Sequence, residues 1–332
     1  MLRSRAFALS VLVMAGGLAL AGCNGSSGGQ SPPAGQNTAS AHTMSFHSPL
    51  TGEVVKGPPP RHPVMVVKID NSMDSAPQIG IGKADMVTEE LVEGGITRLA
   101  VFYDSHVPKV VGPVRSMRAS DIGIVEPANA VLVASGGAPP TVRRMRAAHI
   151  KTFTDGAPGF YRVGQRPAPY NLFMHLPKLA KTMKHRGTPS PYLPFGSASS
   201  FPKGTKAAHI AAKFSAGHTT MWRYHAGHYV NTNSNAAAGS RYSPNTVLVL
   251  RVHVGNAGYL DPAGNPVPET DFTGTGKAMV FHGGRMVRAT WVKKGFSKTV
   301  RLRTKVGTLR IPRGHVWIEL VPTNGGSVKV RK

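Results

Sequence analysis

The pattern of apolar and polar positions changes character partway along the chain. Val64-Met65-Val66-Val67-Lys68-Ile69 is a β-branched run closed by Asp70-Asn71, which predicts a buried strand followed by a turn. Asp85–Leu91 and Ile96–Tyr103 are extended runs joined by Val92-Glu93-Gly94-Gly95, the pattern of a hairpin. Ala130–Ala134 is a further strand. Helices are predicted over Ala76–Lys83, over about ten residues after Gly112-Pro113 with Pro127 as the stop, from Ser135-Gly136-Gly137-Ala138-Pro139 through Arg146, and over Leu176–Arg186. Residues 188–206 are rich in Pro, Gly and Ser and read as a linker. Beyond them the pattern is almost purely strand. Thr219–His225 and His228–Val230 flank Ala226-Gly227, Lys277–His282 and Arg285–Val292 flank Gly283-Gly284, and Thr246–Val254 is a long β-branched run. Thr299–Arg303, Thr308–Ile311 and Val316–Val321 follow at short spacing. The fold class expected is α+β, a layered mixed α/β N-terminal part packed with a β-rich antiparallel C-terminal part.

The first residues read as an address. Arg3 and Arg5 precede an uncharged, largely apolar stretch, Ala6–Leu20, of signal-peptide length and short for a membrane span. It ends in Leu20-Ala21-Gly22-Cys23, which resembles the lipobox of bacterial lipoproteins, where the Cys thiol takes a diacylglycerol. Two acyl chains anchor a protein stably where one does not. The expected organisation is a signal over 1–22, a flexible tether over 23–45 starting at lipidated Cys23, an N-terminal domain over 46–187, the linker over 188–206, a C-terminal domain over 207–325 and a basic tail over 326–332.

Charge narrows the class of partner. Forty Lys and Arg face 15 Asp and Glu over 332 residues, a formal net charge of +25. Ten of the acids lie between Glu53 and Glu126, and from Gly156 to Lys332 there are 26 cations against four acids. Such a body either reflects adaptation to an acidic exterior and solubility through net charge, or adheres to polyanions. Outside the membrane these are anionic wall polymer or lipid headgroups. Nucleic acid is not expected, because no basic, aromatic-rich motif of the RNA-binding kind is present. Cys23 is the single Cys, so disulfides and Cys-based zinc sites are excluded. No cofactor motif is present. His218, His225 and His228 have no acid near them in sequence and are read as exposed side chains rather than metal ligands.

Candidate chemistry concentrates in two places. Alternation along a strand sends Glu89 and Glu90 to opposite faces, so they cannot act as one dyad, while Glu90 is placed to pair with Arg98 across the hairpin. Gly112-Pro113-Val114-Arg115-Ser116-Met117-Arg118 reads as a turn into a helix, with Ser116 as its cap and Arg115 and Arg118 on one side of the first turn. Cations there oppose the helix dipole and call for an anion. Ser135-Gly136-Gly137 could present backbone N–H groups similarly. The expectation is that Arg98, Arg115, Ser116 and Arg118 converge with Glu90 or Glu93.

Several of these stretches belong to one series. Ser48–Gly52, Lys68-Ile69-Asp70-Asn71, Ala76–Gly80, Ala84–Val87, Val92–Arg98, Val111–Arg118 and Arg166-Pro167-Ala168-Pro169-Tyr170-Asn171-Leu172 together resemble the YerB-like lipoproteins, a bacterial family of unknown function. Gly274–Ala278, Ala289–Lys293 and Pro312–Glu319 resemble its C-terminal part. The resemblance covers about 48–325 and departs from the family pattern at His228–Asn235, which carries no acid. It adds Asp70, Asn71 and Asn171 to the candidate ligand-binding set of Arg98, Arg115, Ser116, Arg118, Gly136, Gly137, Glu90 and Glu93. The function expected is binding or scaffolding in the cell envelope. The alternative is a hydrolase or transferase on envelope polymer, using Glu90, Glu93 or Asp104 with Arg98 and Arg115.

Overall fold

The computed structural model describes residues 45–332. The expected signal, Cys23 and nearly all of the tether lie outside the described residues. Strands dominate. The first half supplies β1 (Met65–Asp70), β2 (Met86–Leu91), β3 (Thr97–Tyr103), β4 (Val131–Val133) and β5 (Thr152–Phe153). The second supplies β6 (His209–Lys213), β7 (Thr219–His225), β8 (His228–Asn231), β9 (Thr246–Leu260), β10 (Gly274–His282), β11 (Arg285–Lys293), β12 (Arg301–Thr304), β13 (Gly307–Leu309), β14 (Val316–Pro322) and β15 (Ser327–Arg331).

A thirteen-stranded sheet runs in the order β13-β12-β11-β10-β9-β14-β2-β3-β1-β4-β5, with two short strands attached beside this path. The junction between the halves is β14. It lies parallel to β9 on one side and parallel to β2 on the other, with Val316 opposite Met86 and Glu319 opposite Glu89. The two halves therefore share one hydrogen-bonded sheet, and the C-terminal part is not wholly antiparallel as expected. A second sheet, β8-β7-β6-β15, covers part of one face. The apolar residues divide accordingly. Val66, Ala100, Phe102, Leu248 and Ile318 belong to the core on one face, where α1 (Asp121–Val125) lies. Val67, Val101, Val249, Trp317 and Trp222 belong to the core between the two sheets.

The helices are shorter than the pattern predicts. Ala76–Lys83 holds only a 3-10 turn at Ile81–Lys83, because Gly80 at φ 88° and Pro77 interrupt any continuous helix. After Pro113 the chain is extended as far as Arg118, and helix forms only further on, at α1 with a 3-10 turn over Glu126–Ala128. Arg115 N donates to Lys68 O, Ser135 N to Arg115 O and Met117 N to Gly136 O, so these residues bridge the ends of β1 and β4. Gly137 is required there, since a Cβ would come within 2.8 Å of the Met117 side chain. The basic helix is α2 (Pro139–Ala147), and α3 (Leu176–Ala180) stops six residues early. The stretch 188–206 is tied into the body: Tyr192 and Leu193 are buried and Tyr192 Oη donates to Ile124 O at 3.0 Å. The expected basic tail is β15, an edge strand paired with β6.

Candidate functional site

The hairpin and the extended 113–118 stretch bring the candidate cations and acids together. Lys68 and Asp70 on β1, Glu90 on β2 and Arg98 on β3 share one face of the sheet. Register sets Glu90, Arg98 and Asp70 in one row, and Lys68, Ala100 and Thr88 in the next. Ala100 has no bulk, so the Lys68 side chain crosses over β3. Its Nζ lies 2.6 Å from Glu90 Oε1 and 2.7 Å from Asp121 Oδ1, with all three side chains fully buried. Glu90 thus takes Lys68 as its ion partner, and the Glu90–Arg98 pair expected from the hairpin does not form.

Arg98 turns instead toward the 113–118 stretch. It donates to Ser116 O at 2.9 Å and to Glu93 Oε1 at 2.9 Å. Arg118 donates through Nε to Glu93 Oε2 at 2.9 Å and through Nη2 to Glu93 Oε1. Two guanidinium groups therefore clamp one carboxylate. Burial alone would raise the Glu93 carboxyl, but these two charges hold it below the usual range. Arg98 is driven down to about 10, first by burial and then by the neighbouring Arg118 charge. Arg115 takes a separate partner, Asp70, with Nε 2.8 Å from Oδ2 and its guanidinium 5.4 Å from the Tyr170 ring centre. The other Asp70 oxygen accepts from Ser72 N and Oγ. At 18% exposure Arg115 is the member most open to solvent, against 12% for Glu93.

Convergence of Arg98, Arg115 and Arg118 on acids thus occurs, though not as a helix end. Ser116 caps nothing; its hydroxyl lies 3.3 Å from that of Ser135. α1 opens at Asp121, whose Oδ2 accepts Arg118 N at 2.7 Å. Asn171 stands outside the cluster and accepts from Arg162. The 166–172 stretch joins through Arg166, whose guanidinium donates to the carbonyls of Asp74, Ser75, Ala76 and Pro77. Asp104 lies beyond the far end of β3 from Arg98, about 20 Å along an extended strand, beside Asp85, whose carboxylate accepts Asp104 N. Burial and the Asp85 charge push Asp104 up to about 6. Glu90, Glu93 and Asp104 are therefore not gathered at one centre.

The opposite face holds a second cluster that sequence reasoning missed. Glu89 and Glu319 sit directly opposite on β2 and β14, both fully buried. Glu89 Oε1 accepts from Asn71 Nδ2 at 3.1 Å, Thr97 Oγ1 at 2.8 Å and Thr220 Oγ1 at 2.8 Å, and lies 2.9 Å from His218 Nε2. Glu319 Oε1 accepts from Trp222 Nε1 at 2.7 Å. Burial, then the Glu89 charge, pushes Glu319 far above the usual carboxylate range, so Glu319 holds the proton and Glu89 the charge. His218 is thus a partly buried partner of the buried Glu89 rather than an exposed side chain, while His225 and His228 are exposed and face each other at the β7–β8 turn. Asn71 belongs here, on the other side of the sheet from Arg98. Glu319 itself, the one acid after Asp271, in the run Val-Trp-Ile-Glu-Leu-Val, was the available signal. Among the described residues no group of three or more His, Cys, Asp or Glu could hold a metal.

Comparison with known proteins places this architecture. Residues 50–189 match the N-terminal domain, and residues 210–318 the C-terminal domain, of a family described as "Protein of unknown function (DUF3048)". A Bacillus subtilis (strain 168) protein described as "Putative lipoprotein YerB" is 24% identical over 291 residues, covering 83% of this chain and 86% of that one. The crystal structure of YerB protein from Bacillus subtilis shares the fold, with a TM-score of 0.71 at 21% identity over 86% of this chain and 99% of that chain. With both of its domains present in one continuous sheet, the chain belongs to the DUF3048 family.

Proposed function

We propose that this protein is a cell-envelope lipoprotein, anchored through Cys23 on the outer face of the bacterial cytoplasmic membrane, that binds anionic envelope polymer. One observation carries the reading: the acids of the central sheet are turned inward and paired, while nearly all cations of the second half face solvent. Glu90 and Asp121 are spent on Lys68, Glu93 on Arg98 and Arg118, Asp70 on Arg115 and Glu89 on His218. Chemistry at Glu90 would require a substrate to reach a carboxylate with no exposed surface. Lys277, Arg288, Arg301, Arg313, Lys329 and Arg331 are all exposed. The lipoprotein name of the Bacillus subtilis relative supports the anchoring.

Exposed charges are screened beyond roughly 8–10 Å at physiological salt. Retention of the purified protein on isolated cell wall is therefore expected to fall more than about tenfold between low and moderate salt. Retention that ignores salt, or none at low salt, contradicts the reading. The anchor is tested separately: Cys23→Ala is expected to leave the protein unprocessed or release it from the membrane fraction, and full processing with retention would refute the lipid attachment.

A further inference from the structure

The C-terminal edge strand β15 stands between two hollows of the same sign. Its alternate side chains point to opposite faces. Val328 and Val330 line a cleft of about 890 Å3 that also reaches the β9–β11 part of the large sheet. The cations there are Arg251, Lys277 and Arg288, with His253 beside them and Asp271 as the single acid, and Met279 joins the valines as an apolar wall. Lys329 and Arg331 line a second hollow of about 410 Å3 on the other side, with His209, Met221 and Lys332 and no acid.

The small sheet gathers basic residues at this place. Arg331 stands opposite His209, and His209 opposite Arg223, so two arginines flank an imidazole in one row across β15, β6 and β7. Residues 209–231 and 327–332 contain no Asp or Glu to neutralise them. A single Lys on an edge strand is explained by protection against edge-to-edge pairing. Two arginines in one row of an acid-free sheet, backed by a second cationic cleft behind the same strand, go beyond that. A cationic surface with no acid of its own is complementary to an anionic ligand.

We infer that β15 is the saddle for one extended phosphodiester chain, which lays phosphates against Arg251, Lys277 and Arg288 on one side and Lys329, Arg331 and Lys332 on the other. This deepens the anion-binding reading above and rests on it. Charges repeat about 7 Å apart along one face of the strand, which suits a ligand with regularly spaced anions rather than one compact anion. The apolar wall of Met279, Val328 and Val330 suits carbon spacers between phosphates. A flat bilayer cannot enter a cleft between two sheets, so the ligand is a chain and not a membrane surface.

The test uses the full chain and three probes: long poly(glycerol phosphate), glycerol 3-phosphate, and vesicles containing phosphatidylglycerol. Three exposed pairs are replaced: Lys277→Ala with Arg288→Ala, Lys329→Ala with Arg331→Ala, and the distant Lys181→Ala with Lys184→Ala. Each of the first two pairs is expected to weaken polymer binding about tenfold, the third less than about twofold. The monomer should bind far more weakly than the polymer, and the vesicles should not discriminate among the three pairs. Equal losses from all three pairs would overturn the saddle while leaving general anion binding intact. No polymer binding at low salt would overturn both. Monomer binding as tight as polymer binding, or vesicle binding lost selectively with the first two pairs, would also overturn the saddle.

Discussion

Replacing Lys68 by Met is expected to destabilise the protein by about 3–5 kcal/mol at neutral pH, the cost of removing one partner of a buried ion cluster. The ammonium is fully buried and serves two fully buried carboxylates, Glu90 at 2.6 Å and Asp121 at 2.7 Å. Burial alone would lower Lys68, but Asp121 and Glu90 together raise it. Glu90 is already pushed up to about 7, by burial first, with the Asp121 charge also raising it against the pull of Lys68. Without Lys68 the Glu90 carboxyl loses the charge that opposes its rise. A carboxyl raised in the fold contributes stability that is lost as pH rises through its folded value. The loss caused by Lys68→Met should therefore be largest at neutral pH and shrink as pH falls toward 5. Glu90→Gln and Asp121→Asn added to Lys68→Met should recover most of it. Urea unfolding of the three proteins at both pH values checks this, and a loss under about 1 kcal/mol or one independent of pH would show that the cluster is not held by charge.

The second large effect is expected at Glu89 and His218. Burial lowers the His218 ring, but the hydrogen bond and charge of Glu89 raise it above its ordinary 6.5. Its contribution is complete below 6.5 and fades as pH rises through the folded value. Burial raises Glu89, yet His218 and the surrounding donors hold it below 4.5, so its contribution is complete above 4.5 and fades as pH falls further. The pair is therefore strongest between those two values. His218→Gln should cost about 1–3 kcal/mol inside that window, the size of a lost charged hydrogen bond, and less at alkaline pH. Glu319→Gln should cost much less, because Glu319 behaves as a neutral acid already. A Glu319→Gln loss equal to that of Glu89→Gln would reverse the assignment of charge and proton. Thermal unfolding at pH 5.5 and pH 9 measures all of these.

Part of this arrangement follows from local period. Alternation sent Glu89 and Glu90 to opposite faces, and in the structure they serve two separate clusters on the two sides of the sheet. Gly94 and Gly95 marked the β2–β3 reversal, and both adopt φ near 70°, a backbone shape other residues avoid. The β-branched runs marked nearly every strand, because a pleated strand buried on one or both faces demands such residues. The excess of cations in the second half was visible by counting.

The pairings were decided by tertiary structure alone. Lys68 reaches Glu90 because β3 lies between β1 and β2 and places Ala100 in the path, and no local pattern encodes that strand order. His218 meets Glu89 across 129 residues because the small sheet folds over the large one. Helix signals at Ala76–Lys83 and over the residues just after Pro113 yielded to long-range hydrogen bonds, Ile79 N to Gly112 O and Arg115 N to Lys68 O, and the expected helix survives only at α1 and the turn after it. The parallel insertion of β14 between β9 and β2 likewise turned two segments separated in sequence into one sheet. Backbone period fixes which face a side chain takes. Which group waits on that face depends on strand order, and strand order is chosen by the burial of the whole core.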